Sequence, residues 1–261
     1  MKRLANRTDE LAFFQKMVQG QIEHRILLIQ ASSGYGKTGL MGRFADQCPT
    51  GTLAVPLDLK SAGGRGIAYV FDRIRKVLAS QAFPNYEREI ATFLHPDRTV
   101  AEIEISGNEL SGDQSAIQVV LQGQSEAERQ FRLQQVQSAF FKDLRQCRSS
   151  IVFILDTFNE ATPELKAWVE GQFLMEVADY ERLYCVVAGQ EVPETSIEWE
   201  RLHHSCCLKP IREHEAWFRY AKDVGLPFDQ KELGMLVDLF EGVPSLIGQA
   251  LGKVTQSRQV S

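Results

Sequence analysis

The chain has 261 residues, 44% of them hydrophobic and 24% charged, with a formal net charge of −5. That length fits one domain of roughly 200 residues with a smaller one beside it, and the acidic balance argues against broad attraction to nucleic acid or an anionic membrane. No apolar run is long enough to cross a bilayer, the basic start Met1-Lys2-Arg3 has no long apolar stretch behind it as a secretion signal would, and the five cysteines read as reduced cytoplasmic thiols rather than a disulfide framework.

In chain order, Leu11, Phe14, Met17 and Val18 share one side of a helix predicted over Asp9–Gln19, with Thr8 as its N-cap and Gly20 as its C-cap. A strand over Arg25–Gln30 runs into Ala31-Ser32-Ser33-Gly34-Tyr35-Gly36-Lys37-Thr38. Leu40, Met41 and Phe44 then mark a helix to about Gln47. Strand, tight Gly-rich turn and helix opening is the context of a phosphate-binding loop, G-x-x-x-x-G-K-[ST]. The first amides of a helix lack intrahelical partners and sit at the positive end of its dipole, so they favour an anion. Gly34 and Gly36 let the loop curl its N–H groups around phosphate oxygens. Lys37 reaches the β- and γ-phosphates, and Thr38 offers its hydroxyl to Mg²⁺. Ser33, Tyr35 and Gly39 complete the stretch assigned to nucleotide binding. The motif's first glycine falls on Ala31, which implies distortion rather than loss, because a methyl group still permits common loop geometry.

A strand over Leu53–Leu59 and, after Gly63-Gly64-Arg65-Gly66, an amphipathic helix over Ile67–Ala79 come next. Residues 83–124 read as an irregular surface insertion with one or two short strands, at Ala101–Ile105 and Ile117–Leu121, or as an adjustable loop. A helix spans Ser125 to about Cys147, with Phe131, Val136, Phe140, Phe141 and Leu144 on its packed side.

Ile151-Val152-Phe153-Ile154-Leu155-Asp156 is the second informative stretch. Five apolar residues in a row suggest a strand buried on both faces of a parallel sheet. A carboxylate at that strand's end lies where open α/β sheets bind ligands, and it suits Mg²⁺. Thr157 follows where hydrolytic proteins of this broad class carry a water-polarising Glu. Glu160 reaches the site if the chain turns sharply; the alternative is that it caps the helix opened by Pro163. That helix runs to Val177, and a strand over Leu183–Ala188 ends at Gly189-Gln190. The Gln190 amide there can hydrogen-bond to phosphate or water without neutralising charge. His203, His204, Cys206 and Cys207 are crowded without a spacer, and adjacent side chains of a strand point apart. They read as a strand with alternate burial rather than a zinc site. Helices within Glu213–Lys222, Gln230–Phe240 and Ser245–Lys253 form a small helical domain, with Thr255–Ser261 frayed. The predicted architecture is α/β, a three-layer sandwich around a mostly parallel sheet over residues 1–209, followed by a helical lid over 210–261.

Taken together these stretches resemble the STAND class of signal-transducing P-loop NTPases, and within it bacterial ATP-binding modules fused to effector-associated domains. Asn6-Arg7-Thr8-Asp9-Glu10-Leu11 is similar to that family's G-R-x-x-E-L element, with Asn6 in place of Gly. Ile151–Asp156 matches its metal-binding strand. Val186–Pro193 looks like the strand that usually ends in a sensor Arg, where this chain has Gln190. Gly242-Val243-Pro244 resembles the lid's G-x-P element. The resemblance implies ATP or ADP with Mg²⁺ as ligands, and Arg7 and Pro244 at the nucleotide, the proline against adenine. It also implies protein partners or fused effector and sensor domains, and a nucleotide-dependent homo-oligomer. The departures at Thr157 and Gln190 weaken hydrolysis more than binding. The expected function is therefore an adenine-nucleotide switch with slow ATPase activity, catalysed by Lys37, Asp156, Glu160 and Gln190 with Mg²⁺ on Thr38 and Asp156. The alternatives are a non-hydrolysing scaffold with bound nucleotide and a nucleic-acid-stimulated ATPase, which the absence of a basic stripe disfavours.

Overall fold

The computed structural model describes residues 4–60, 66–94 and 125–260. The first described elements are α1 (Thr8–Val18), β1 (Ile26–Gln30), α2 (Lys37–Asp46), β2 (Thr52–Asp58), α3 (Gly66–Leu78), α4 (Pro84–Leu94) and α5 (Glu126–Gln146). They are followed by β3 (Ser150–Asp156), α6 (Pro163–Trp168), α7 (Leu174–Asp179), β4 (Leu183–Gly189) and β5 (His203–Cys207), and then by α8 (His214–Asp223), α9 (Gln230–Leu239) and α10 (Pro244–Val260). The strands form one sheet in the order β2-β3-β4-β1-β5, and every neighbouring pair is parallel.

Parallel strands need long crossovers, and helices make them on both faces. Because side chains alternate along a strand, Leu28, Phe153, Leu155, Cys185 and Val187 enter one core, shared with α3, α4, α5, α6 and α7. Leu27, Ile29, Val152, Ile154 and Val186 enter the other, under α1 and α2. Every position of β4 is buried, as a strand covered on both sides requires. A third cluster joins α8, α9 and α10 through Ile211, Trp217, Leu233, Val237, Ile247 and Leu251. The predicted α/β three-layer sandwich with a helical C-terminal region is the observed fold.

Local readings differ at several points. Pro84–Leu94, read as part of an irregular insertion, is a helix. Pro84 stands at its first position, where a missing N–H costs nothing. The Asp143 carboxylate on α5, 1% exposed, accepts from the Asn85 and Tyr86 backbone N–H groups at 3.3 and 2.8 Å, which satisfies that helix start from another element. The strands expected at 101–105 and 117–121 lie outside the described residues. The helix expected over Pro163–Val177 contains a π-helical turn, Val169–Phe173, between α6 and α7. Its wider register lets Trp168 and Phe173, five apart, both face the core. Thr8 is the first helical residue rather than the cap; Arg7 holds the cap position, and its side chain makes no capping bond to the helix. At the sheet edge β5 shows no alternate burial, its residues being half-buried or exposed; among the described residues it pairs with β1 alone. The backbone of α10 stays helical to Val260, past the point where fraying was expected.

Candidate functional site

The loop after β1 begins as an extension of the ladder. Ala31 N–H donates to the Gly189 carbonyl at 3.1 Å, and its methyl is buried in the core under α1 and α2. Ala31 is not among the positive-φ residues, so no glycine is needed there. Gly34 and Gly36 do require glycine, at φ 83° and 91°. A Cβ on Gly34 would lie 2.4 Å from Ser245 Oγ, and the Ser245 N–H donates to the Gly34 carbonyl at 3.0 Å. The loop is thus fastened to the first turn of α10. Lys37 folds back on its own loop, donating to the Ala31 and Ser32 carbonyls at 2.6 and 3.0 Å. Burial draws its pKa below the ordinary lysine value, with Asp156 opposing that shift.

At the end of β3, Asp156 Oδ1 accepts from the Thr157 N–H at 2.8 Å. Thr157 has φ 63°, a left-handed conformation that is strained for a β-branched residue. That bend drives Phe158, 1% exposed, into the core and turns Phe158–Glu160 into a single 3₁₀ turn. Thr162 then caps α6, its hydroxyl accepting from the Leu165 N–H. The capping alternative for Glu160 is therefore filled by another residue. Asn159 Oδ1 accepts from the Gln190 N–H at 2.9 Å, which ties the end of β3 to the end of β4.

These pieces surround one cavity of about 720 Å³. Of the residues singled out in the sequence, Ser33, Gly34, Gly36, Lys37, Thr38 and Gly39 line one side. Asp156, Glu160 and Gln190 line another, and Pro244 closes it from α10. Arg7 and Tyr35 stay off the wall. Arg7, 8% exposed, lies behind the loop and donates to the Tyr35 and Lys209 carbonyls at 3.0 and 2.8 Å. It props the loop against the chain leaving β5. The cavity also takes Lys60, Thr157, Asn159, Ser245 and Gly248. Of these only Thr157 is expected beside the site from the sequence, which places Ser245 simply at the start of a helix. Ser245 and Gly248 are detectable as the positions next to, and one turn beyond, Pro244. Lys60 carries no local signal, because it matters only once β2 is known to flank β3.

The Thr38 hydroxyl and Asp156 carboxylate are hard oxygen donors of the kind that could hold Mg²⁺. A Cβ on Gly34 would meet Ser245 and one on Gly36 would come within 3.9 Å of Pro244, so the two left-handed glycines let the loop lie close under the first turn of α10.

No family model matches the chain, and no curated protein sequence matches it. Among solved structures it is similar to Cdc6p from Pyrobaculum aerophilum, with a TM-score of 0.59 over 99% of this chain. The chain has the P-loop NTPase fold. At 14% identity the likeness speaks for the fold alone, and this chain spans 63% of the length of Cdc6p. Among the described residues no helix is long and apolar enough to cross a membrane.

Proposed function

We propose that this chain is an adenine-nucleotide-binding switch of the STAND type, with slow Mg²⁺-dependent ATP hydrolysis, that regulates assembly with protein partners in bacterial signalling or defence in the cytoplasm. The observation that carries the reading is the convergence of Lys37, Thr38, Asp156 and Pro244 on one cavity. These residues come from three separate stretches of sequence. In this reading residues 1–209 bind the nucleotide and 210–261 form the lid.

Lys37 leaves the Ala31 and Ser32 carbonyls for the β- and γ-phosphates, and the anion restores the charge that burial disfavours. Thr38 and Asp156 hold Mg²⁺, which when bound neutralises charge on the phosphates. Glu160, brought in by the bend at Thr157, orients and polarises water. Gln190 hydrogen-bonds to phosphate or water without adding charge, so the rate stays low. Pro244 and Ser245 meet the ligand from α10, and the Ser245–Gly34 hydrogen bond links the lid to the loop that the phosphates would reorganise. Gln190 also favours a second reading, a scaffold that keeps its nucleotide without turnover.

The test is nucleotide content and phosphate release on one purified sample, with Lys37→Ala and Asp156→Ala beside it. Co-purifying adenine nucleotide with slow turnover, lost in both variants, supports the switch. Bound nucleotide without turnover supports the scaffold. An empty protein that takes up no added Mg-ATP or Mg-ADP refutes both.

A further inference from the structure

The cavity contains a cation that the loop does not supply. Lys60 follows β2 by two residues, and its backbone N–H donates to Asp58 Oδ1 at 3.1 Å, which fixes the turn there. Asp58 stands directly opposite Asp156 in the parallel β2–β3 register. Lys60 therefore leaves the sheet on the strand adjoining Asp156, roughly 4.8 Å away in the pairing direction. Its side chain is exposed and lines the same cavity. Among the described residues its ammonium has no hydrogen-bond or ion-pair partner.

The charges around it give the lysine a purpose. The cavity wall carries two carboxylates, Asp156 and Glu160, and two lysines, Lys37 and Lys60. Lys37 is held by two carbonyls of its own loop, and Gln190 and Asn159 offer only neutral amides. In hydrolysis the water oxygen bonds to the γ-phosphorus, the bond from that phosphorus to the bridging oxygen breaks, and the water proton leaves through Glu160 to solvent. Products are ADP and inorganic phosphate, and negative charge spreads over the transferred and leaving oxygens as they separate. A compact ammonium on a flexible stem can follow that charge.

Resting on the proposed ATPase reading, we infer that Lys60 is the second phosphate-contacting cation of this site, supplying from β2 the positive charge that Gln190 lacks at the end of β4. The end of β2 thus becomes part of the reacting wall, and a neutral residue at 190 becomes tolerable.

The experiment measures phosphate release and Mg-ATP and Mg-ADP affinity for the native chain, Lys60→Ala, Lys60→Arg, and Lys60→Ala combined with Gln190→Arg. Thermal unfolding of each confirms a folded protein. Lys60→Ala is expected to slow turnover about a hundredfold while Mg-ADP affinity changes less than about threefold. Lys60→Arg retains most of the rate, and Gln190→Arg in the Lys60→Ala background recovers about tenfold. Turnover by Lys60→Ala at the native rate overturns the inference while leaving the ATPase reading intact. If the native chain binds nucleotide without turnover, affinity decides. A roughly tenfold loss for Mg-ATP alone upholds Lys60 as the γ-phosphate contact, and equal affinities overturn it. A native chain that binds neither nucleotide overturns the site reading and the lysine's role together.

Discussion

The two walls of the cavity are built in opposite ways. The loop wall, Ala31 to Gly39, is one contiguous segment held by backbone geometry: two left-handed glycines, a ladder bond at Ala31, and a lysine satisfied by its own carbonyls. The facing wall is assembled from the ends of β2, β3 and β4. It depends on side chains, namely Lys60, Asp156, Asn159, Glu160 and Gln190, and on a strained bend at Thr157. A wall of backbone amides suits binding, since it stabilises the phosphates alike before and during reaction. A wall of placed charges is suited to affecting the transition state alone. The two tasks should therefore separate under mutation.

The largest separation is expected at Glu160. Glu160→Gln keeps the size and removes the base, so phosphate release should fall roughly a hundredfold with Mg-ATP affinity nearly unchanged. Unchanged turnover would remove Glu160 from the reaction. Gly34→Ala attacks the other wall. A methyl at φ 83°, 2.4 Å from Ser245 Oγ, should cost about 1–2 kcal/mol of stability. It should also weaken binding of both nucleotides about tenfold, read by denaturant unfolding and titration calorimetry; native-like affinity would show that the clamp to α10 is dispensable.

Gln190→Arg adds charge to the reacting wall alone. Turnover should rise several-fold, to about tenfold at most, without tighter Mg-ADP binding. A slower enzyme would mean that the Asn159–Gln190 link matters more than charge.

The smallest effect belongs to His204, on the edge strand outside both walls. It stacks on Phe13 with centroids 4.2 Å apart. Burial first, then the nearby His24 and His203, hold its pKa below the usual histidine value. The unfolded chain thus takes up this proton more readily than the folded one. The associated stability is present above about pH 6.5 and is lost as pH falls from there toward the folded value. His204→Phe should flatten the acid-side loss of melting temperature, within the roughly 0.5 kcal/mol range of surface changes, and leave turnover unchanged. An identical pH profile in the variant would place the acid sensitivity elsewhere.

Legibility followed the same division. The loop, the buried run Ile151–Leu155 and the helical C-terminal region could all be read from local spacing. Glu160 was balanced between two roles, because nothing in Thr157 announces a left-handed bend. Pro84 suggested irregular chain, although it opens a helix whose first amides are satisfied by Asp143, more than fifty residues away. Arg7 lay in a motif pointing to the ligand, yet its guanidinium is spent on the Tyr35 and Lys209 carbonyls.

By itself the sequence determined the phosphate-type loop, the parallel-sheet core and the acidic end of β3. Each depends on neighbours within a dozen residues, where backbone conformation and periodicity act directly. Tertiary structure alone decided that β2 lies beside β3, that Asn159 ties Glu160's turn to Gln190, and that Ser245 fills the space over Gly34. Strand order and close approach between distant segments set those contacts, and they leave no periodic trace in the chain.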